Sequence, residues 1–225
     1  MNDAVPPELQ ATFERERRAA RDARPKDPAA HRALTIRMYG RLAELQAGVI
    51  AQHGVGVACR RGCAFCCHLR VEIRPHEAFV LAAHIRSKFD AGEVARIVAR
   101  LDENLARIAP LTADEHIRAG IPCALLADGV CTVYEGRPAA CRKYYSVSVD
   151  TCRRAFDDTS APLTGPLEDD RVRLAGNAVA LGFAQGRADA GFDTELYELH
   201  FALSHALAGE QAERRWRGGK RPFVR

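Results

Sequence analysis

No run of apolar residues in this chain approaches the roughly 18 that a membrane-spanning helix requires, so no membrane role is expected. The opening residues, Met1-Asn-Asp-Ala-Val-Pro-Pro-Glu8, lack the basic and apolar blocks of a secretory signal, and a cytoplasmic location is the expectation. Charge of one sign is not in large excess: a formal +4 over 225 residues permits weak attraction to nucleic acid without arguing for it. Zinc-finger and zinc-ribbon spacings are missing, which argues against nucleic acid as a partner. No nucleophile–base pair, phosphate-cradling loop or open His/carboxylate site is visible, so no catalytic residue can be named and the question of an enzyme stays open. Internal repeats and low-complexity segments are lacking too. Finally, no cysteine lies outside two groups.

What is there is concentrated in those groups. The first is Cys59-x3-Cys63-x2-Cys66-Cys67, and the second is Cys123-x7-Cys131-x9-Cys141-x10-Cys152. In a reducing compartment eight thiols are not a disulfide framework, and metal binding or redox chemistry becomes the default. A thioredoxin-like pair at Cys63-Ala-Phe-Cys66 would need a βαβ surround that is not present. Packing alone does not cluster thiols this way. Thiolate sulfur is a soft anionic donor that holds zinc in a tetrahedron or iron in iron–sulfur clusters, so the set suits two quartets or one multinuclear cluster. The adjacent pair Cys66-Cys67 could not both face one ion from a strand, where successive side chains point oppositely; an irregular or helical turn is needed. The long gaps of the second group require it to meet the first through folding. Four thiolates on a divalent ion leave about −2 to compensate, and Arg60, Arg61, Arg70, Arg74, Arg137, Arg142, Lys143, Arg153 and Arg154 supply cations nearby.

With 47% hydrophobic and 28% charged residues, the length suits one mainly α domain: several helices around an irregular cysteine-rich centre, with at most a small hairpin. Residues 1–27 read as a polar, mobile helical arm (helix Pro7–Arg24), 28–158 as the cysteine-cluster core, 159–210 as a C-terminal helical pair, and 211–225 as a basic tail. Leu34, Met38, Leu42, Leu45 and Val49 share one face of a helix over 29–53. A short extended segment is expected at Arg70–Arg74, then a helix from Pro75 to about Phe89. Asp90-Ala-Gly-Glu93 caps a helix whose stripe runs Val94, Ile97, Val98, Leu101, Leu105, Ile108. Thr112–Glu115 opens a short helix ended by Gly120. Asp128-Gly129 turns a small hairpin, and Asp150 caps a helix carrying Cys152 and Phe156. Residues 159–165 form a linker, and helices over 167–187 and 193–208 follow as an antiparallel pair.

The cysteines, a following Glu77, and Pro122-Cys123 through Cys131-x2-Tyr134-x2-Arg137-Pro138-x2-Cys141-Arg142 together resemble the CxxxCxxCC cysteine-cluster proteins, the YkgJ-like zinc- or iron-chelating family. The resemblance covers about residues 56–156. It implies Cys59, Cys63, Cys66, Cys67, Cys123, Cys131 and Cys141 as metal ligands, with Cys152 as the eighth, and it leaves zinc against iron open. A similar cluster occurs in flagellin lysine methylases, where the resemblance implies an iron–sulfur centre; this chain lacks their additional length. The expected function is therefore metal-ion binding. The alternative is an iron–sulfur or iron-centre enzyme, or an accessory protein, in protein modification or redox chemistry.

Other polar residues are weaker candidates. His68 follows the cysteine pair but is expected outside the metal's ligands. Glu77 and His84 share a helix face that reads as solvated, His200 and His205 read as ordinary partly buried histidines, and Tyr134, Tyr144 and Tyr145 read as core aromatics. Pro138 is expected to open a helical turn that aims Cys141 inward.

Overall fold

The computed structural model describes residues 6–60, 62–158 and 167–224. Among them the fold is mainly α, with two small two-stranded sheets. No helix among the described residues is long and apolar enough to cross a membrane.

Helix α1 spans Pro7–Asp22 and α2 spans Pro28–His53, with Asp27 capping the Ala30 amide at 2.8 Å and Gly54 closing α2 at φ 60°. A glycine suits that left-handed position because it carries no Cβ to clash. Strand β1 is Glu72–Ile73; α3 follows at Pro75–Lys88 and α4 at Ala91–Ile108, whose expected Asp90/Glu93 capping box forms in both directions. Helix α5, Ala113–Arg118, is capped by Thr112 and Glu115 in the same manner. Strands β2, Leu126–Ala127, and β3, Val130–Cys131, form the hairpin, with Asp128 and Gly129 at φ 49° and 72°, the left-handed pair its tight turn requires. Then come α6, Ala139–Arg142, α7, Val149–Asp157, and α8, Asp170–Asp189. Strand β4, Tyr197–Glu198, leads into α9, Leu199–Leu207, and α10, Gln211–Arg217.

The largest apolar cluster joins Ile73, Phe79, Leu81 and Ile85 to Ile97 and Leu101, to Leu125 and Val133 of the hairpin region, and to Leu203, Trp216 and Phe223 from the C-terminal part. A second cluster sets Met38, Tyr39 and Leu42 of α2 against Val80, Val179 and Phe183. Cys123 and Cys131 pack on the edge of the first, so the cysteine-rich centre is seated on the main core.

Four expectations need correction. The arm is not mobile: α1 lies along α8 with Leu9 and Ala20 buried, and Arg17 meets Asp189 at 2.6 Å while Arg41 meets the buried Glu16 at 2.6 Å. The approach is close because α8 carries Gly182 and Gly186 where it crosses α1; a Cβ at Gly182 would stand 2.5 Å from the Phe13 carbonyl oxygen. The C-terminal helices do not form a mutual pair; α8 packs on α1 and α2, and α9 on α3 and α4. The second of them starts later than expected, because Tyr197 and Glu198 pair antiparallel with Ile73 and Glu72. The basic tail is anchored by Trp216 and Phe223, 2% and 3% exposed. Smaller shifts are that Ser148 rather than Asp150 caps α7 and that Asp169 caps α8. The expected linker at 159–165 lies outside the described residues.

Candidate metal centre

After α2 ends, an irregular loop carries the first cysteine group under the Tyr144–Ser148 segment. The Ala58 amide donates to the Ser146 carbonyl at 2.8 Å, and the Ser146 amide donates to Cys59 Sγ at 3.3 Å. A single 3₁₀ turn, Phe65–His68, then carries Cys66 and Cys67. A tight turn of this kind lets neighbouring side chains lie on one side, which a strand forbids. The two thiols are near enough for Cys67 to raise the pKa of Cys66. The Cys123 amide donates to the Cys67 carbonyl at 2.8 Å, so the start of the second group is stitched to the first through the backbone.

The second group arrives on three elements. Cys123 precedes the hairpin, Cys131 sits in β3 opposite Leu126, and Cys141 rides on α6 immediately after Pro138. Cys152, buried, lies on α7, which packs against the 3₁₀ turn. The Cys66 thiol lies within electrostatic reach of Cys59 and Cys67 from its own group and of Cys123, Cys131 and Cys141 from the other. Cys59 in turn feels Cys63 and Cys152. Cys66 thus bears on thiols of both groups.

Burial pushes the Cys123 thiol up to about 11 and raises Cys141, Cys131 and Cys59 as well, since a desolvated thiolate is disfavoured. Cys66 is raised first by Cys67 and then by burial. Against these effects, Arg137 lowers Cys66, Cys131 and Cys141 together, and Arg100 lowers Cys123. Of the other expected cations, Arg70, Arg74 and Arg142 are engaged elsewhere. Arg70 pairs with Glu72 at 2.8 Å, Arg74 donates to the Thr194 carbonyl, and the Arg142 guanidinium lies 4.5 Å from the Tyr39 ring centre. Arg61 lies outside the described residues.

The chemistry suits a soft metal: thiols of both groups lie in one region, several of them desolvated, and Arg137 bears on three of them. Among the described residues no three His, Cys, Asp or Glu side chains already close on one point as a ligand set. Thiols that burial holds protonated repel less than thiolates would, and drawing them onto an ion requires loss of those protons.

Residues 58–160 match the family CxxCxxCC, described as a "putative zinc- or iron-chelating domain". That segment, a little under half of the chain, is similar to this domain. The matched segment contains all eight cysteines, and its first gap holds three residues where the printed pattern has two. No curated protein and no solved structure matches the chain.

Around the matched segment, several polar residues take roles their spacing did not announce. Glu77 is not on a solvated face. It is 4% exposed, and its carboxylate accepts the Arg74 amide at 2.9 Å and the Ala139 amide at 2.7 Å, so one buried side chain caps α3 and holds the first turn of the Cys141 helix. Burial raises its pKa, while those two amides pull it back down. Its helix neighbour His84 lies under Gly136, where a Cβ would stand 2.6 Å from the imidazole ring. His200, beyond the matched segment, is part of a buried array: Nδ1 is 2.7 Å from the Glu198 carboxylate, and Nε2 accepts the Ala124 amide at 3.2 Å beside Asn104 Nδ2, also 3.2 Å away. Asn104 also donates to the Pro122 carbonyl at 2.8 Å, so both residues flanking Cys123 are held. His68 turns Nδ1 to the Ala64 carbonyl, 3.1 Å away. Tyr134 is no core aromatic: it is 52% exposed, and the Arg137 guanidinium stacks 3.6 Å from its ring centre, which fixes that cation beside the thiols.

Proposed function

We propose that the protein binds zinc or iron through clustered thiolates, with Cys59, Cys63, Cys66, Cys67, Cys123, Cys131, Cys141 and Cys152 as the donor set, and that residues 28–158 form the metal-holding unit. The observation that carries this reading is that folding joins the two groups: the Cys123 amide donates to the Cys67 carbonyl at 2.8 Å, and Cys66 lies within electrostatic reach of Cys123, Cys131 and Cys141. A bound ion would supply Lewis acidity or a tetrahedral cross-link, and an iron–sulfur cluster would supply electron transfer. The chain's own residues have separate tasks. Arg137 offsets thiolate charge, Glu77 holds the turn that presents Cys141, and Asn104 with His200 fixes the backbone on either side of Cys123.

Elemental analysis and an absorption spectrum of anaerobically purified protein test the reading. Stoichiometric zinc in colourless protein supports a structural or carried ion. Iron with acid-labile sulfide and visible charge-transfer bands supports the cluster and the enzymatic or accessory role. Cys63→Ser is expected to lose metal, because a hydroxyl is harder and far less acidic than a thiol, while His68→Gln keeps it. Full metal in the first variant and loss in the second would replace the all-thiolate site with a mixed His/Cys one.

A further inference from the structure

A cavity of about 330 Å³ opens beside the cysteine loop, walled by Arg60, Cys63, Phe65 and His68 on one side and by Arg153 and Phe156 of α7 on the other. Its two kinds of wall are distinct. Phe65 and Phe156 have ring centres 5.6 Å apart, and His68 meets Phe156 edge-on at 4.9 Å, which makes an aromatic lining that stays open. Phe156 leaves 39% of its surface exposed, a large ring at the mouth rather than in the core. Among the described residues the two arginines form no ion pair with a carboxylate, and no acidic side chain lines the cavity. Elsewhere on this protein arginines find carboxylates readily, as at Arg17–Asp189, Arg32–Glu213 and Arg41–Glu16. Two uncommitted guanidiniums over an aromatic wall are complementary to a molecule with an anionic group and a flat apolar body.

We propose that this cavity is a binding site for a small organic anion, an aromatic carboxylate or sulfonate in chemical class, with its charge on Arg60 and Arg153 and its ring against Phe65 and Phe156. The volume lies at the lower end of the range for small-molecule sites and admits one bicyclic ligand. The ligand class follows from the lining alone. That the occupant also abuts the metal centre, through Cys63, rests on the proposed role of that cysteine.

Anilinonaphthalene sulfonate, an anionic bicyclic fluorophore, is the probe. Titrated into the 225-residue chain as purified, it is expected to bind saturably at one site, to be displaced by naphthoate and not by neutral naphthamide. Arg153→Glu and Arg60→Glu should each weaken it roughly tenfold, about 1.4 kcal/mol. Arg96→Glu, the same charge change on the exposed face of α4, should leave it unchanged, and Phe156→Ala should weaken both probe and naphthoate. Circular dichroism confirms that each variant is folded, and metal content is measured on the same samples. Non-saturable binding, equal displacement by naphthamide, or equal weakening by Arg96→Glu and Arg153→Glu would overturn the site. Protein without metal that still shows the charge-selective binding would sink the metal reading and leave the anion site standing.

Discussion

Removing the Glu77 carboxylate should reveal how far the Cys141 turn depends on a single buried side chain. In Glu77→Ala the amides of Arg74 and Ala139, held at 2.9 and 2.7 Å, lose their acceptor in a place water reaches poorly. A buried donor left unpaired costs about 1–3 kcal/mol. Two of them, with a small cavity in addition, give an expected loss of roughly 3–5 kcal/mol. For a chain of this size that corresponds to a fall in Tm of about 6–20 °C. Glu77→Gln keeps one carbonyl oxygen for one amide and removes the cost of burying charge, so it should lose less than half as much. Thermal and urea unfolding of the as-purified protein measure both. Metal content supplies the specific readout: Leu9→Ala, in the cluster between α1 and α8, should destabilise by a comparable amount of about 2–5 kcal/mol while keeping its metal. If Glu77→Ala lost no more metal than Leu9→Ala at equal stability, the clamp on the Cys141 helix would be of no consequence to the centre.

Acid should destabilise the protein through two buried imidazoles. Burial lowers His76 to about 3 and His31 to about 4, with Arg187 adding to the shift in both. Their contribution is fully present above about pH 6.5, where the unfolded imidazole is neutral, and is lost as pH falls from there toward those folded values, because only the unfolded chain takes up the protons. Between pH 6.5 and 5 each should cost about 2 kcal/mol; His76→Phe should remove roughly half of that slope in urea midpoints, and an unchanged slope would refute the assignment. Gly182→Val should force α1 off α8 at a cost of about 1–3 kcal/mol, seen as faster tryptic cleavage after Arg15, Arg17 and Arg18; an unaltered cleavage rate would show that the close approach is not needed.

Much of the helical frame, and the clustering of the thiols, was legible because the relevant signals are local. Helix α4 and its cap lie in consecutive residues, Asp128-Gly129 states its own turn, and the thiols are unmistakable by density. What was missed depends on partners far apart in the chain. Helix α1 buries Thr12 and Glu16 as well as Leu9, so polarity suggested an exposed arm; its docking groove is written in Gly182 and Gly186, more than 160 residues on. Trp216 and Phe223 sit among arginines whose charge masked them. Glu77 looked solvated from helix spacing because the amide it serves, Ala139, belongs to another element. Glu198 was read into a helix from the apolar period of its neighbours, whereas the β1 edge competes for it.

The seating of the hairpin and α3 on residues drawn from α9, α10 and Phe223 has a consequence for modularity. Cut out at its boundaries, the 58–160 segment would retain every thiol yet expose Phe79, Ile85 and Leu101, the apolar faces that Leu203, Trp216 and Phe223 now cover. The cysteine motif is thus not autonomous in this protein. Grafted into another host, it would need a substitute for that cover before its donors could find one another, and a host that supplied a different cover would set the same sulfurs at different spacings.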